Sequence, residues 1–420
     1  MTAPKADAAW PSRRACLRWA AQIGAAACLP AAARAQDAAE PPRTAIELYG
    51  STQSPWLDKL RSLHAGRAEI LRIVQLGDSH TAGDYFTGEL RRLLQAAWGN
   101  AGAGWVHPAA VPGQRASAVQ YALQGWELIT QRQPASADAR LPPGGAMLRS
   151  LPATGGHVQL MPVPPFDGPQ RVTALVRPLR ARQPLVFESG GSSVGQQAPD
   201  AQGWQRIAFS APEMPLRIQA RAGDEWELGP IGFENGRTGV TVSALGVNGA
   251  QISHTARWHA QWPDALSATR ADLLILAFGT NEAFDQSPRP DSMEDIWLRV
   301  IRQIQTALPR AGVLLLGPPD SLQGRSGASE CPRPLWLGLT RRMQRRVAQA
   351  QRAAFWDWQA AMSEMKTTEA TETPAAQDCA ARRWQQAGLM GGDGVHFSPA
   401  GYARSAQALA EALMRLARRA

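Results

Sequence analysis

The sequence predicts an α/β fold: a doubly wound parallel sheet covered by helices, interrupted by a β-sandwich insert. Three observations predict it. Short apolar runs alternate with amphipathic helical periods before residue 101 and after residue 238, which implies parallel strands joined by crossover helices. The run at 272–278 is apolar almost without interruption, as in a strand covered on both faces. Between 102 and 237 the helical period disappears, and Gly- and Pro-rich turns punctuate short alternating runs.

The N-terminal stretch reads as an export signal. Arg13, Arg14 and Arg18 precede an alanine-rich apolar run at 19–29, and Ala33-Arg34-Ala35 fits a small-residue cleavage site, so residues 1–35 are expected to be removed. Ser12-Arg13-Arg14-Ala15-Cys16-Leu17 approaches a twin-arginine pattern with Cys16 at the bulky position, which leaves the export route open. Cys28 lies in a poor lipobox. The apolar run is too short to span a bilayer, and no later run is long enough. Residues 36–44 read as a Pro- and Ala-rich linker.

The 420 residues are 44% apolar, enough for a large core. Without residues 1–35 the chain carries 39 basic and 34 acidic side chains, a net charge of +5 rather than +9. Arg341, Arg342, Arg345 and Arg346 fall on an expected helix and read as a solvated face, so no nucleic-acid partner is expected. Cys331 and Cys379 remain after cleavage and could pair in an oxidising compartment, although nothing in the sequence fixes their separation.

Ile73, Val74 and Leu76 suit a buried strand ending sharply at Gly77-Asp78-Ser79, and Phe86, Leu90, Leu93, Leu94 and Trp98 then mark one helix face. Within 102–237, residues 171–176 and 216–220 alternate as half-buried strands. Strands are expected again at 240–245, 272–278, 313–316 and 353–356, with helices at 292–308 and 335–352. Residues 364–377 are polar and expected to be loose. Ser398 as a cap and Pro399 in the first turn open a last helix to about residue 417.

Four blocks are expected where strands meet their following loops, which is where open α/β sheets bind ligands. They hold Ser79, Gly249, Asn281, and Asp393 with His396. Acyl transfer needs a nucleophile, a base, an orienting acid and oxyanion donors, and this set supplies each. Ser79 would attack, His396 would take its proton, and Asp393 would hold the imidazole tautomer. The backbone N–H groups of Ser79 and Gly249 and the side-chain amide of Asn281 would face the oxyanion, each donor worth roughly 3 kcal/mol of barrier. Gly246 is an alternative to Gly249.

These blocks resemble the SGNH (GDSL) hydrolases: Gly77-Asp78-Ser79, Gly279-Thr280-Asn281 and Asp393-Gly394-Val395-His396 stand in that family's order. Gly77-Asp-Ser-His-Thr-Ala-Gly-Asp84, Gly104-Trp105-Val106, Gly113-Gln114-Arg115 and Leu245-Gly-Val-Asn-Gly-Ala-Gln251 look like the bacterial peptidoglycan O-acetylesterases. The resemblance runs from about residue 70 to the C-terminus, loosely in its middle. It implies a flavodoxin-like three-layer domain at 45–101 and 238–420, with a carbohydrate-binding-like β-sandwich at 102–237. It also implies an exported, periplasmic serine esterase that removes acetyl from the muramic acid 6-hydroxyl of peptidoglycan, freeing that hydroxyl for lytic transglycosylases. Acetyl transfer to a sugar would use the same acyl-enzyme. Other readings are an SGNH esterase or lipase acting on a different acylated glycan or lipid, and a non-catalytic wall-binding protein. The presence of every catalytic residue type argues against the last.

His80 adjoins Ser79 and is expected to shape its turn rather than act as base. His107, His157, His254 and His259 lack metal-ligand spacing and read as structural or surface residues, so neither a metal nor another cofactor is expected. Of the 15 tryptophans, Trp105 and Trp126 are the candidates for stacking on sugar, although most aromatic residues are core.

Overall fold

The computed structural model describes residues 44–133, 140–200, 203–286, 290–324, 331–364 and 379–418, all within one compact unit, Pro42–Ala420. The expected signal, the linker up to residue 43 and the polar stretch at 365–377 lie outside them.

Five parallel strands form the central sheet: Ile70–Gly77, Gly239–Gly246, Leu273–Ala277, Gly312–Leu316 and Ala354–Trp356. Numbered in chain order, they lie second, first, third, fourth, fifth across the sheet, the flavodoxin-like order. A short strand, Ile46–Leu48, adds an antiparallel edge beside Ala354–Trp356. At this length it has no period to read, and the sequence reading passed over it.

Alternation along each strand supplies both faces of the sheet. Leu71, Ile73, Leu273 and Ile275 join one apolar cluster with the helices Pro55–His64, Tyr85–Trp98 and Pro399–Arg418. Val74, Leu76, Leu274 and Leu276 join another with Trp262, Trp297, Ile301 and Val347, carried by the helices Trp262–Ser267, Pro290–Ala307 and Leu337–Ala350. Phe86, Leu90 and Leu94 are fully buried on the expected face of Tyr85–Trp98. Each such side chain stabilises the fold by about 1.5–3 kcal/mol.

Residues between 119 and 234 build two antiparallel sheets. One runs Ser192–Gln197, Leu185–Ser189, Leu216–Ala220, Gly156–Pro162, Val119–Gln124. The other runs Gln205–Ala211, Gln170–Arg180, Glu225–Glu234, Ala146–Ser150, Trp126–Thr130, with Gly104–Val106 also paired to Glu225–Glu234. Val158, Phe187 and Ile218 of the first share an apolar cluster with Val172, Val176 and Ile231 of the second. Met147 and Leu175 also reach the cluster beneath Leu76 and Leu245, so this region is packed onto the parallel sheet.

Three sequence expectations need correction or addition here. Arg341 and Arg345 are not a solvated face: both bind the Asp357 carboxylate, at 2.7 and 2.6 Å, and Arg345 also binds Glu47. Cys331 and Cys379 form a disulfide with Cα atoms 5.8 Å apart. Asp393 and His396 do not follow a strand; their loop lies between the helices Ala380–Gln386 and Pro399–Arg418 and is closed by a bridge between Met390 and Phe397. Among the described residues, no helix is long and apolar enough to cross a membrane.

Candidate active site

The first parallel strand stops at Gly77, and the chain turns at once into the one-turn helix Ser79–Ala82. The turn is held by Asp78, whose carboxylate accepts from the His80 N–H at 3.0 Å and whose carbonyl accepts from Thr81 and Ala82. From below, Gln75 Nε2 donates to Thr81 Oγ1 at 2.8 Å. Ser79 therefore sits on a turn fixed from both sides.

His396 Nε2 lies 2.8 Å from Ser79 Oγ, and His396 Nδ1 lies 2.7 Å from Asp393 Oδ2. Asp393 Oδ1 accepts from the N–H groups of Val395 and His396, both at 3.0 Å, so the loop orients its own acid. Partial burial opposes ionisation of Asp393, but the bonds from His396 and the two backbone donors outweigh it and hold the pKa below the usual carboxylate range.

Asn281 follows the third parallel strand through Gly279, whose φ of +127° and approach to Gln344 leave no room for a side chain. Its Nδ2 donates to the Ala250 carbonyl at 2.9 Å, which leaves the second amide hydrogen for another acceptor. Beneath this turn Glu282 accepts from the N–H groups of Ile252 and Gly279, at 2.8 and 2.9 Å. Burial pushes Glu282 and Asp78 up to about 7, each despite backbone hydrogen bonds to its carboxylate.

Ser79, Gly249, Asn281 and His396 all line one open pocket of about 570 Å³ at the carboxyl edge of the sheet. Gly246 does not line it: that residue pairs with Gly77 inside the sheet, and its carbonyl meets His107 Nε2 at 3.0 Å. Gly249, at φ +69°, is the glycine of that block that reaches the pocket.

Residues 219–404 match the GDSL-like lipase/acylhydrolase family, and residues 101–217 match the N-terminal region of peptidoglycan O-acetylesterases. The solved structure titled "Peptidoglycan O-acetylesterase in action, 5 min" is 39% identical, superposes with a TM-score of 0.79, and aligns over 89% of this chain and 99% of its own. The chain belongs to the SGNH peptidoglycan O-acetylesterase family. It is a carboxylic ester hydrolase. A lipase/acylhydrolase from Enterococcus faecalis (19% identity, TM-score 0.31, 42% of this chain and 77% of its own) and a carbohydrate acetylesterase from Sinorhizobium meliloti (18%, 0.30, 42% and 79%) are far more distant. No curated protein sequence matches the chain.

In this O-acetylesterase, Trp105 and Trp126 are corrections to the sequence reading, because each is a core residue and neither lines the pocket. Trp105 is 5% exposed and packs on Gly232; Trp126 is 6% exposed and packs on Gly156. Burial and stacking on sugar both favour a large aromatic, so residue type alone could not separate them.

The aromatic wall of the esterase pocket is formed instead by Tyr85, Phe284, Phe397 and Tyr402. Tyr85 and Tyr402 stack with centroids 6.0 Å apart, and the Arg115 guanidinium lies 4.7 Å above Tyr85. The Tyr402 hydroxyl is 3.0 Å from His80 Nδ1. Burial, reinforced by the neighbouring His396, drives His80 down to about 3, so it stays neutral and its place is structural. His107 is likewise pushed to about 4 by burial, while its Nε2 bonds the Gly246 carbonyl. His254 and His259 accept from the backbone N–H groups of Gln251 and Gln261, and His157 is exposed on a strand. Arg132 also lines the pocket, and no sequence signal singled it out.

Proposed function

We propose that this chain removes O-acetyl groups from the muramic acid 6-hydroxyl of peptidoglycan through an acetyl-enzyme on Ser79. The observation that carries the reading is the unbroken relay of hydrogen bonds from Asp393 through His396 to Ser79, opening into a pocket that Gly249 and Asn281 also line. Ser79 Oγ attacks the acetyl carbonyl as His396 Nε2 takes its proton. Charge developing on the carbonyl oxygen is met by the N–H groups of Ser79 and Gly249 and by the Asn281 hydrogen left free by Ala250. His396 then returns the proton to the departing sugar oxygen, and water, activated by the same base, releases acetate. Half-exposure of Asp393 and His396 suits a polymer that must reach the serine from solvent.

In this reading residues 45–101 and 238–420 form the hydrolase domain, and 102–237 form an inserted β-sandwich of carbohydrate-binding type, supported by the two antiparallel sheets that share one core. Residues 1–35 direct export to the periplasm, where the substrate lies.

The test is acetate release from O-acetylated peptidoglycan, measured beside acetylated xylan and a long-chain ester. Peptidoglycan should be the best substrate. Ser79→Ala should abolish turnover of it while leaving the melting temperature within about 2 °C, since one half-buried hydroxyl at the pocket contributes little stability. Faster turnover of xylan or of the long-chain ester would replace the substrate, and an active Ser79→Ala variant would remove the nucleophile.

A further inference from the structure

Arg132 and His396 are the only formally charged or titrating side chains among the described pocket-lining residues besides the two tyrosines. The arginine comes from the turn after the strand Trp126–Thr130, far in sequence from the catalytic blocks. That turn is pinned. Gln133 N–H donates to the Thr130 carbonyl at 3.1 Å, Gln131 N–H donates to the Gly145 carbonyl at 2.8 Å, and Trp258 Nε1 donates to Gln131 Oε1 at 2.9 Å. Arg257 adds donors to the carbonyls of Gln131 and Gln133. The backbone carrying Arg132 is thus tied to the hydrolase side of the molecule on both flanks.

The side chain, exposed to solvent, leans on the second catalytic block. Arg132 Nη1 donates to the Asn248 carbonyl at 3.3 Å, and the guanidinium covers the Cα face of Gly249, where an added Cβ would meet Nη1 at 2.7 Å. Asn248 is held in turn by its Nδ2 bond to the Gly113 carbonyl at 3.0 Å. A guanidinium has five N–H donors in a planar fork, and the Asn248 carbonyl takes one direction of it. No carboxylate of the described residues lies within ion-pair distance of Arg132. Its charge acts nearby: after burial, the cations of Arg257 and Arg132 are what lower the pKa of His254.

We propose that Arg132 binds a carboxylate of the acetylated substrate and thereby selects peptidoglycan over neutral acetylated polysaccharides; the inference rests on the esterase reading above. On the muramic acid that bears the 6-O-acetyl group, the lactyl carboxyl is bound as an amide to the stem peptide, whose own residues carry free carboxylates; where the peptide has been removed, the lactyl carboxylate itself is free. Xylan and other neutral acetylated chains offer none. A planar fork beside Gly249 is matched to this anion, and a bidentate charge-assisted pair made by an exposed arginine at the pocket rim is worth up to about 10-fold in binding.

The experiment compares kcat/KM of the full chain on O-acetylated muropeptides before and after amidation of their free carboxylates, with p-nitrophenyl acetate as the small neutral ester. The native muropeptide should be preferred over the amidated one by about 10-fold, chiefly through KM, and added salt should shrink that preference. Arg132→Gln should bring the ratio to within about threefold of unity, and Arg132→Lys should keep part of it. O-acetylated glycan stripped of peptide exposes the lactyl carboxylate instead: a preference kept there places Arg132 within reach of the muramic ring itself, and one lost there confines its anion to the stem peptide. Equal turnover of native and amidated muropeptide by the parent overturns the proposal. So does an Arg132→Gln variant that slows both substrates in the same proportion, because the guanidinium then serves only to support the Gly249 turn. A parent that hydrolyses p-nitrophenyl acetate but no peptidoglycan substrate removes the esterase reading itself, and the inference falls with it.

Discussion

Asp393 accepts three hydrogen bonds from its own short loop, one from the His396 ring and two from backbone N–H groups. Its ionised form is therefore built into the loop, and its depressed pKa keeps it charged through the neutral range. In Asp393→Asn the two backbone bonds can persist, but the amide no longer requires a proton on Nδ1 of the imidazole, and it no longer stabilises the imidazolium. kcat should fall by orders of magnitude with KM little changed. A kcat within about threefold of the parent would separate Asp393 from the base.

At the scale of elements, the helix Tyr85–Trp98 is joined to the start of the β-rich region through one buried charge. Asp84, at φ 49°, accepts from Thr87 Oγ1 at 2.6 Å, from Arg91 Nη2 at 3.1 Å and from the Ser117 N–H at 2.9 Å, with the Ser117 hydroxyl also donating. Arg91 Nη1 meanwhile caps the Val242 carbonyl of the second parallel strand at 2.7 Å. Burial opposes the Asp84 charge, but Arg91 and the donors from Ser117 and Thr87 outweigh it and hold its pKa low. Arg91→Met should keep the apolar stem and strand the carboxylate, destabilising the fold by about 3–5 kcal/mol in denaturant titration. A loss below about 1 kcal/mol would mean that Ser117 and Thr87 suffice.

Across the whole molecule, His107 links the β-rich region to the parallel sheet through its bond to Gly246. Its folded pKa of about 4 lies below the ordinary value of 6.5, so the contribution to stability is complete above about 6.5 and is lost as pH falls toward 4. The unfolded chain takes up the proton that the folded chain refuses. His107→Gln keeps a donor for Gly246 and removes this titration. The variant should gain on the parent by up to about 3 kcal/mol as pH is lowered from 6.5 to 4, read as the difference in melting temperature. A difference that does not vary with pH would show that His107 titrates normally in the fold.

Strand ends and helix faces were legible in the sequence because each depends on neighbours in the chain, whereas the order of the parallel strands is set by which of them pair across the sheet. The period of Phe86, Leu90 and Leu94 and the apolar run at 273–277 carry their own burial pattern. Ser79 and Asn281 were legible as candidates for the same reason: each lies within a few residues of the end of an apolar strand, beside a glycine. Which of Gly249 and Gly246 lines the pocket depends on tertiary structure alone, since the register against Gly77 buries Gly246. Tertiary structure also decided the fate of Trp105 and Trp126, because an indole reads alike in a core and on a surface until its neighbours are in place. Arg132 and the Tyr85–Tyr402 stack belong to the same class. Their partners lie more than a hundred positions away in sequence, brought close only when the β-rich region and the C-terminal helix fold back onto the sheet.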